Sequence, residues 1–241
     1  MIQLDRRLEV CADGGAGQTI HPFSEAPRAT GRGVARGLAF DAKRIKLSIL
    51  MPAYNEQRTI GGAIAAVLST DYGCPFELIV VDDGSSDETP SILGSLRHPQ
   101  AVVVTHPRNL GKGAALQTAA RCASGTHLVP FDANLEYDPA DLAAMVKPIV
   151  AGRCDVVYGT RLFGANTRYQ SYRHAQGNRM LTLAANVLFD ACLNDLHTCL
   201  KLVPVDLFRK LDLRENGFGL DTEITAKLLK RGIRPLEVPV T

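Results

Sequence analysis

From Ile45 onward, short apolar runs alternate with stretches of helical periodicity, and few architectures accept that order. Lys46–Met51 predicts a strand that Pro52 ends. Glu56–Ser69 predicts a helix with Ile60, Ile64, Val67 and Leu68 on one face. Further strands are expected at Phe76–Val81, Ala101–Thr105, Thr126–Pro130 and Asp155–Tyr158. Helices are expected at Asp87–Leu96, Gly111–Ala123 and Pro139–Val150, with Pro90 tolerated in a first turn. Strands separated by helices of roughly 10–15 residues imply βαβ units, hence a mostly parallel central sheet with helices on both faces. The strands are continuously apolar, as strands covered on both sides must be.

After Tyr158 the pattern loosens. Residues 161–175 read as a long polar loop. Gln176–Asn194 reads as a helix whose broad apolar face (Met180, Leu181, Leu183, Ala184, Val187, Leu188) is expected to pack on the core, with a membrane-surface helix as the alternative. Lys201–Pro204 is a short strand, Asp221–Lys230 a helix and Pro235–Val240 a closing strand. Residues 1–44, rich in Gly and Arg, read as a flexible extension with at most one short helix or strand. Residues 45–241 then form one catalytic-domain-sized unit.

Composition narrows the partners. The chain has 27 Lys and Arg against 25 Asp and Glu, a net charge of +2, so no electrostatic footprint for nucleic acid exists. Six cysteines, at 11, 74, 122, 154, 192 and 199, show no CxxC or Cys/His spacing, which suits reduced thiols in the cytoplasm. No run approaches the roughly 20 apolar residues of a membrane span. The N-terminus lacks a signal peptide's apolar core. Membrane contact is therefore expected to be peripheral, at the cytoplasmic face, or to come from a part outside this chain.

Three predicted strand ends carry polar clusters: Pro52-Ala-Tyr-Asn-Glu56, Asp82-Asp-Gly-Ser-Ser-Asp87 and Asp132-Ala-Asn-Leu-Glu136. In an open α/β sheet the carboxyl ends of strands face the ligand crevice. If the backbone stays extended after Phe131, Asp132, Asn134 and Glu136 point to one side and form a seat for Mg²⁺ or Mn²⁺. A polar loop that caps the helix at Pro139 is the alternative. Asn109-Leu-Gly-Lys-Gly113 opens a helix whose free N–H groups, with Lys112, suit a phosphate. A plain glycine turn explains it equally well.

In order and spacing, the strings PAYNE, VVDDGSSDET, NLGKGAAL, DANLEYDP, YGTR, GNRMLT, HTCLK, GFGLDTEIT and EVPV resemble glycosyltransferase family 2. Within it they resemble the polyprenyl-phosphate sugar synthases, of the dolichyl-phosphate mannosyltransferase type. The resemblance runs from Leu47 to Val240. It implies a Rossmann-like GT-A fold, a divalent cation, and transfer of a hexose with inversion from GDP-mannose, UDP-glucose or UDP-N-acetylglucosamine to a polyprenyl phosphate. By position it implies that Pro52, Tyr54 and Glu56 hold base and ribose, and that Asp83, with Asp82 beside it, touches the nucleoside. Lys112 falls near the donor, and Asp132, Asn134 and Glu136 match the metal and diphosphate motif. Arg161 and Arg173 match basic residues that grip the acceptor phosphate, so Asp132, Arg161 and Arg173 carry the chemistry. Glu223 joins them, although its duty, like those of Asn178, Arg179 and Lys201, is less defined.

Two departures matter. The family usually has aspartate where this chain has Asn134, so metal affinity should fall. Relatives continue beyond Thr241, so the catalytic domain reads as C-terminally shortened. Two further readings stay open. A soluble sugar or polysaccharide hydroxyl as acceptor would need a catalytic carboxylate, Asp221 or Glu223. A sugar-nucleotide-binding protein weakened at Asn134 would not turn over. Polyprenyl phosphate needs no strong base, because it is already an anionic nucleophile.

Overall fold

The computed structural model describes residues 45–161, 172–217 and 219–240, with the side chains of 172–175 outside that description. The expected extension 1–44 and most of the expected loop at 161–175 lie outside the described residues. In chain order the elements are β1 (Leu47–Ala53), α1 (Ile60–Ser69), β2 (Phe76–Asp82), α2 (Thr89–Ser95), β3 (Ala101–Thr105), α3 (Lys112–Cys122) and β4 (His127–Pro130). There follow α4 (Pro139–Val150), β5 (Val157–Thr160), α5 (Tyr172–Phe189), β6 (Lys201–Pro204), α6 (Val205–Arg209), α7 (Leu220–Lys230) and β7 (Leu236–Pro239).

The strands form a sheet in the order β3-β2-β1-β4-β6-β5-β7. β1 pairs in parallel with both β2 and β4, while β6 runs antiparallel to β4 and β5. Alternate residues of β1 serve opposite faces. Leu47, Ile49 and Met51 pack with Ile60 and Val67 of α1 and Leu142 and Met145 of α4. Leu50 packs with Leu116 and Ala119 of α3, Phe208 of α6 and Leu228 of α7. Each such side chain, fully withdrawn from water, contributes about 2 kcal/mol. Helices thus cover both faces, as the alternating pattern required.

Pro52 does not end β1. Its neighbour Ala53 still accepts a hydrogen bond from Asp83 N, and Leu50 O accepts from Phe131 N on the β4 side. Pro52 points to that same β4 side, where pairing has stopped at Leu50–Pro130. No donor is wanted there, so a residue without an N–H fits.

At the opposite end of the sheet Glu77 ties three strands together. Its carboxylate accepts from Ser48 Oγ at 2.6 Å, Ser124 N at 2.7 Å and Lys46 Nζ at 2.8 Å. Partial burial alone would raise this carboxyl, but the bonds from Lys46, Ser124 and Ser48 outweigh it and hold it down to about 2. Nearby, burial pushes His127 down to about 4, against a weaker opposing pull from Asp155.

α5 departs from expectation. Among the described residues Thr182 and Ala185 are its buried positions, and the helix packs against α7. Met180 (72% exposed), Leu183 (64%), Val187 (74%) and Leu188 (77%) face outward. The apolar face expected to pack on the core therefore does not. The small-residue side of the helix is the one withdrawn from water.

Candidate active site

β1 sits at the centre of the parallel half, with β2 on one flank and β4 on the other. The chain runs outward through β2 and β3, then crosses by α3 to β4. The strand order therefore reverses beside β1, and the crevice outside such a reversal is where open α/β sheets bind ligands. The three polar clusters leave the carboxyl ends of these adjacent strands.

On the β1–β2 flank two loops are sewn together. Asn55 N donates to Ser85 Oγ at 2.9 Å, and Asn55 Oδ1 accepts from Ser86 N at 2.8 Å. Glu56 N donates to Thr89 Oγ1 at 2.9 Å and Gln57 N to Asp87 Oδ2 at 3.2 Å. Asn55 takes φ 56°, a left-handed value that asparagine tolerates. This sewing uses up Glu56–Thr59, which is why α1 starts at Ile60 and not at Glu56. Glu56 keeps one oxygen on Thr59 Oγ1 at 2.6 Å. Tyr54 is 46% exposed, an aromatic face on the rim.

Asp82 and Asp83 divide the work. Asp83 is buried and fully engaged. It accepts from Leu110 N at 3.0 Å, Gly111 N at 2.8 Å and His106 Nδ1 at 2.7 Å. It holds a turn. Asp82 is also buried. Its Oδ1 accepts from Ser85 N at 3.1 Å, while its Oδ2 has no hydrogen-bond partner among the described residues. Asp83 is thus spent within the chain, while Asp82 keeps one carboxylate oxygen without a partner among the described residues.

The phosphate reading of 109–113 changes as well. Gly113 N donates to Asn216 O at 2.7 Å and Ala114 N to the same oxygen at 3.3 Å. With Leu110 and Gly111 bound to Asp83, the first N–H groups of α3 are occupied from within the chain. Gly111 has φ 101°, and a Cβ there would meet Asn216 O at 2.3 Å, so only glycine fits. What this segment offers a ligand is Lys112.

Lys112 Nζ lies 2.7 Å from Asp132 Oδ1 and 2.8 Å from Oδ2. Past Asp132 the backbone does not stay extended. Asn134 Oδ1 accepts from Glu136 N at 3.2 Å, and Leu135 takes φ 59°, a conformation costing about 1–2 kcal/mol for such a residue. Asp132, Asn134 and Glu136 therefore do not line one side of a strand. The cap of α4 is Asp138, which accepts from Ala140 N at 2.9 Å, so Asp132 is not needed for capping. Among the described residues no three His, Cys, Asp or Glu side chains gather as a metal cage. The Asp132 carboxylate suits a hard cation, but Asn134 Oδ1 is engaged by Glu136 N, so a cation here would draw most of its oxygens from a diphosphate and water.

Around Asp132 stand two more cation–carboxylate pairs. Arg161 Nε donates to Asp195 Oδ2 at 2.7 Å and its Nη2 to Oδ1 at 3.1 Å, with Asn178 Nδ2 on Oδ1 at 2.8 Å. Burial alone would raise Asp195, but Arg161 outweighs it and holds the carboxyl below its ordinary value. Lys201, buried, donates to Thr198 O and to Asp221 Oδ1 at 2.9 Å, and sits 5.2 Å from the Tyr158 ring centre. Tyr137 and Cys199 are buried among these charges. Burial raises both above their ordinary values, Tyr137 with help from Cys199 and Cys199 with help from Asp132. His197 has a buried Nε2 with no hydrogen-bond partner among the described residues. Burial and Lys201 hold its pKa below the ordinary value.

Glu223 serves a different purpose. It accepts from Arg214 N at 3.1 Å, Glu215 N at 2.9 Å and Lys227 Nζ at 2.8 Å, and so braces the loop that plugs α3. It reads as a structural carboxylate, which leaves Asp221 as the better candidate of the two. Arg173 falls in the first turn of α5, and its side chain lies outside the described residues. Sequence reasoning missed Asp195 and His106, and quoted His197 within the HTCLK string without giving it a role. Asp195 lies just before that string, close enough to have been noticed. The pairing of Asp195 with Arg161 spans the undescribed stretch, and no local periodicity reports it.

Residues 48–211 match the family model described as Glycosyl transferase family 2. Glycosyltransferase AglD of Haloferax volcanii is 29% identical over 213 residues, covering 85% of this chain and 34% of AglD. Dodecaprenyl-phosphate galacturonate synthase of Rhizobium johnstonii is 32% identical over 133 residues, 52% of this chain and 39% of that protein. The chain thus spans about a third of these relatives' length. Glucosyl-3-phosphoglycerate synthase of Mycobacterium tuberculosis, solved with Mn²⁺, UDP and glucosyl-3-phosphoglycerate, superposes with a TM-score of 0.63 at 24% identity. It covers 81% of this chain and 71% of that one. The fold is therefore of the GT-A-like type. The expected polyprenyl phosphate acceptor, with its peripheral membrane contact, is corrected by this last finding. The broader structural match holds UDP and a soluble phosphorylated product, whereas the lipid-linked relative matches only half of the chain. No helix among the described residues is long and apolar enough to cross a membrane.

Proposed function

The chain belongs to glycosyl transferase family 2, and from that premise we propose that it moves a hexosyl group from a uridine diphosphate sugar to a hydroxyl of a soluble acceptor. The observation that carries the reading is the gathering of Lys112–Asp132, Lys201–Asp221 and Arg161–Asp195 around the ends of β4, β5 and β6. Three cations, each held by its own carboxylate, suit a donor diphosphate and an anionic group on the acceptor.

In this reading Tyr54 stacks on the base. Asp82 Oδ2 accepts from a base N–H or ribose hydroxyl. Lys112 shifts from Asp132 toward the diphosphate. Asp132, with Asn134 beside it, would hold Mn²⁺ or Mg²⁺, which when bound neutralises the leaving diphosphate. Arg161, aimed by Asp195 and Asn178, takes the acceptor's anionic group through its planar fork. Asp221 is the carboxylate within reach of an acceptor proton.

Incubation with radiolabelled UDP-glucose, Mn²⁺ and a panel of soluble phosphorylated and neutral acceptors tests this. Label on a soluble acceptor is the expected result. UDP binding without turnover, restored by Asn134→Asp, would replace the proposal with that of a disabled binding protein.

A further inference from the structure

We infer that Lys112 is the internal counter-ion of Asp132, holding the seat of a divalent cation until a nucleoside diphosphate draws it away, so that cation and diphosphate enter together. This role rests on the donor reading proposed above and adds how that site fills. The Lys112 ammonium straddles the carboxylate, 2.7 Å from Oδ1 and 2.8 Å from Oδ2. Both side chains are largely withdrawn from water, at 20% and 18% exposure, so little solvent screens the pair. Burial alone would lower the Lys112 pKa, but Asp132 outweighs it and raises it above the ordinary value. The ammonium therefore stays charged on its carboxylate.

A dication arriving alone meets a neutral pair. It would have to share one carboxylate with an ammonium, like charge against like. The neighbouring chain does not compensate. Asn134 is uncharged and its Oδ1 is engaged by Glu136 N at 3.2 Å. Among the described residues no three His, Cys, Asp or Glu side chains gather to add charge. A diphosphate changes the balance, because it carries more negative charge than one carboxylate. Lys112 turns to the diphosphate, and Asp132 is released to bind the cation jointly with diphosphate oxygens. Every charge is paired before and after. Only a side chain has to move. Gly111 N donates to Asp83 Oδ2 at 2.8 Å and Gly113 N to Asn216 O at 2.7 Å, so the backbone is pinned on both sides of Lys112. Its flexible four-carbon stem supplies the swing. The other two cations of this flank stand differently. Lys201 is held by Asp221 and Arg161 by Asp195, carboxylates that the proposed cation does not need. Of the three, Lys112 is the one whose partner is also the cation's ligand.

Mn²⁺ binding to the full chain, followed by the electron paramagnetic resonance of free Mn²⁺, tests this without any transfer reaction. The parent should hold Mn²⁺ weakly alone and roughly tenfold more tightly with UDP, once the Mn²⁺–UDP association measured without protein is subtracted. Lys112→Met removes the ammonium and keeps an unbranched stem. Without UDP it should bind Mn²⁺ roughly tenfold more tightly than the parent, and the further gain from UDP should shrink. Adding Asp132→Asn should cancel that rise. Lys112→Arg keeps the charge and should bind Mn²⁺ as weakly as the parent. Should Lys112→Met melt earlier than the parent, Lys112→Gln takes its place. Unchanged Mn²⁺ affinity in both uncharged variants overturns the inference and makes Lys112 a phosphate contact only. A rise that survives Asp132→Asn overturns it too, as does tight Mn²⁺ binding by the parent before UDP is added. Failure of UDP to bind any of these proteins, with Mn²⁺ or without, overturns the donor reading and the joint entry. A Mn²⁺ rise in Lys112→Met, read without UDP, still assigns Lys112 as the counter-ion in that case.

Discussion

The two flanks of the crevice are built on different principles. On the β1–β2 flank, loops are fastened by backbone N–H groups and short neutral side chains, with Asp83 spending its carboxylate on a turn. On the β4–β5–β6 flank, shape is held by three ion pairs whose cations lie between fully buried and partly exposed. The first kind of bond cannot be exchanged without leaving a partly buried amide unsatisfied at Glu56, Leu110 or Gly111. The second can, because a substrate oxygen replaces a carboxylate at a cation without loss of pairing. One flank is a fixed mould, which the proposed function gives to the nucleoside. The other is a set of charges waiting to change partners.

The contrast is sharpest at Asp132. Asp132→Asn should lower turnover roughly 10³-fold while changing stability by about 1 kcal/mol. Steady-state transfer and urea unfolding measure the two effects. A loss divided evenly between them would erase the difference between flanks. Asp83→Ala should do the reverse. Stripping Leu110 N and Gly111 N of their acceptor should cost about 3 kcal/mol of stability, read from the unfolding midpoint. An unmoved midpoint would break the mould description. Arg161→Lys keeps the charge but loses the fork. The acceptor KM should rise about tenfold, ~1.4 kcal/mol, with UDP affinity by calorimetry unchanged. Equal losses in both would take Arg161 out of acceptor binding.

The smallest effect lies away from the crevice. His127 has its folded pKa lowered from 6.5 to about 4 and Glu77 from 4.5 to about 2. In both cases the unfolded chain binds the proton more readily. The stabilisation is complete above pH 6.5 for His127 and above 4.5 for Glu77. It is lost as pH falls toward 4 and toward 2 respectively, by about 1–2 kcal/mol each once solvent screening is allowed for. Urea midpoints across that range should show two declines. His127→Gln should remove the upper one and Glu77→Gln the lower.

The sequence pattern located β3, α4 and β6 to the residue, because apolar period and flanking breakers agree there. It misplaced the start of α1, where four residues are spent on sewing loops. It read Asp132–Glu136 as extended because no local signal announces that Leu135 adopts a left-handed turn. It missed α6, which at five residues is too short to show a period. In the crevice the strand-end clusters were legible as residue types. Their division of labour was not. Asp82 and Asp83 are neighbours in the chain and differ in which donors reach them, backbone N–H groups and His106. Asp195 and Arg161 are joined by tertiary geometry. The apolar face of α5 was visible, but hydrophobic period says only that a face wants cover, not what covers it.

The carbonyl of Asn216, lodged between Gly111 and Gly113, fixes how this scaffold can diversify. A single residue inserted or deleted between Leu213 and Asn216 would withdraw that oxygen, so lineages of this fold should hold the stretch at constant length. The turn at Gly152, where an added methyl group would touch nothing, is where new loops can be grafted.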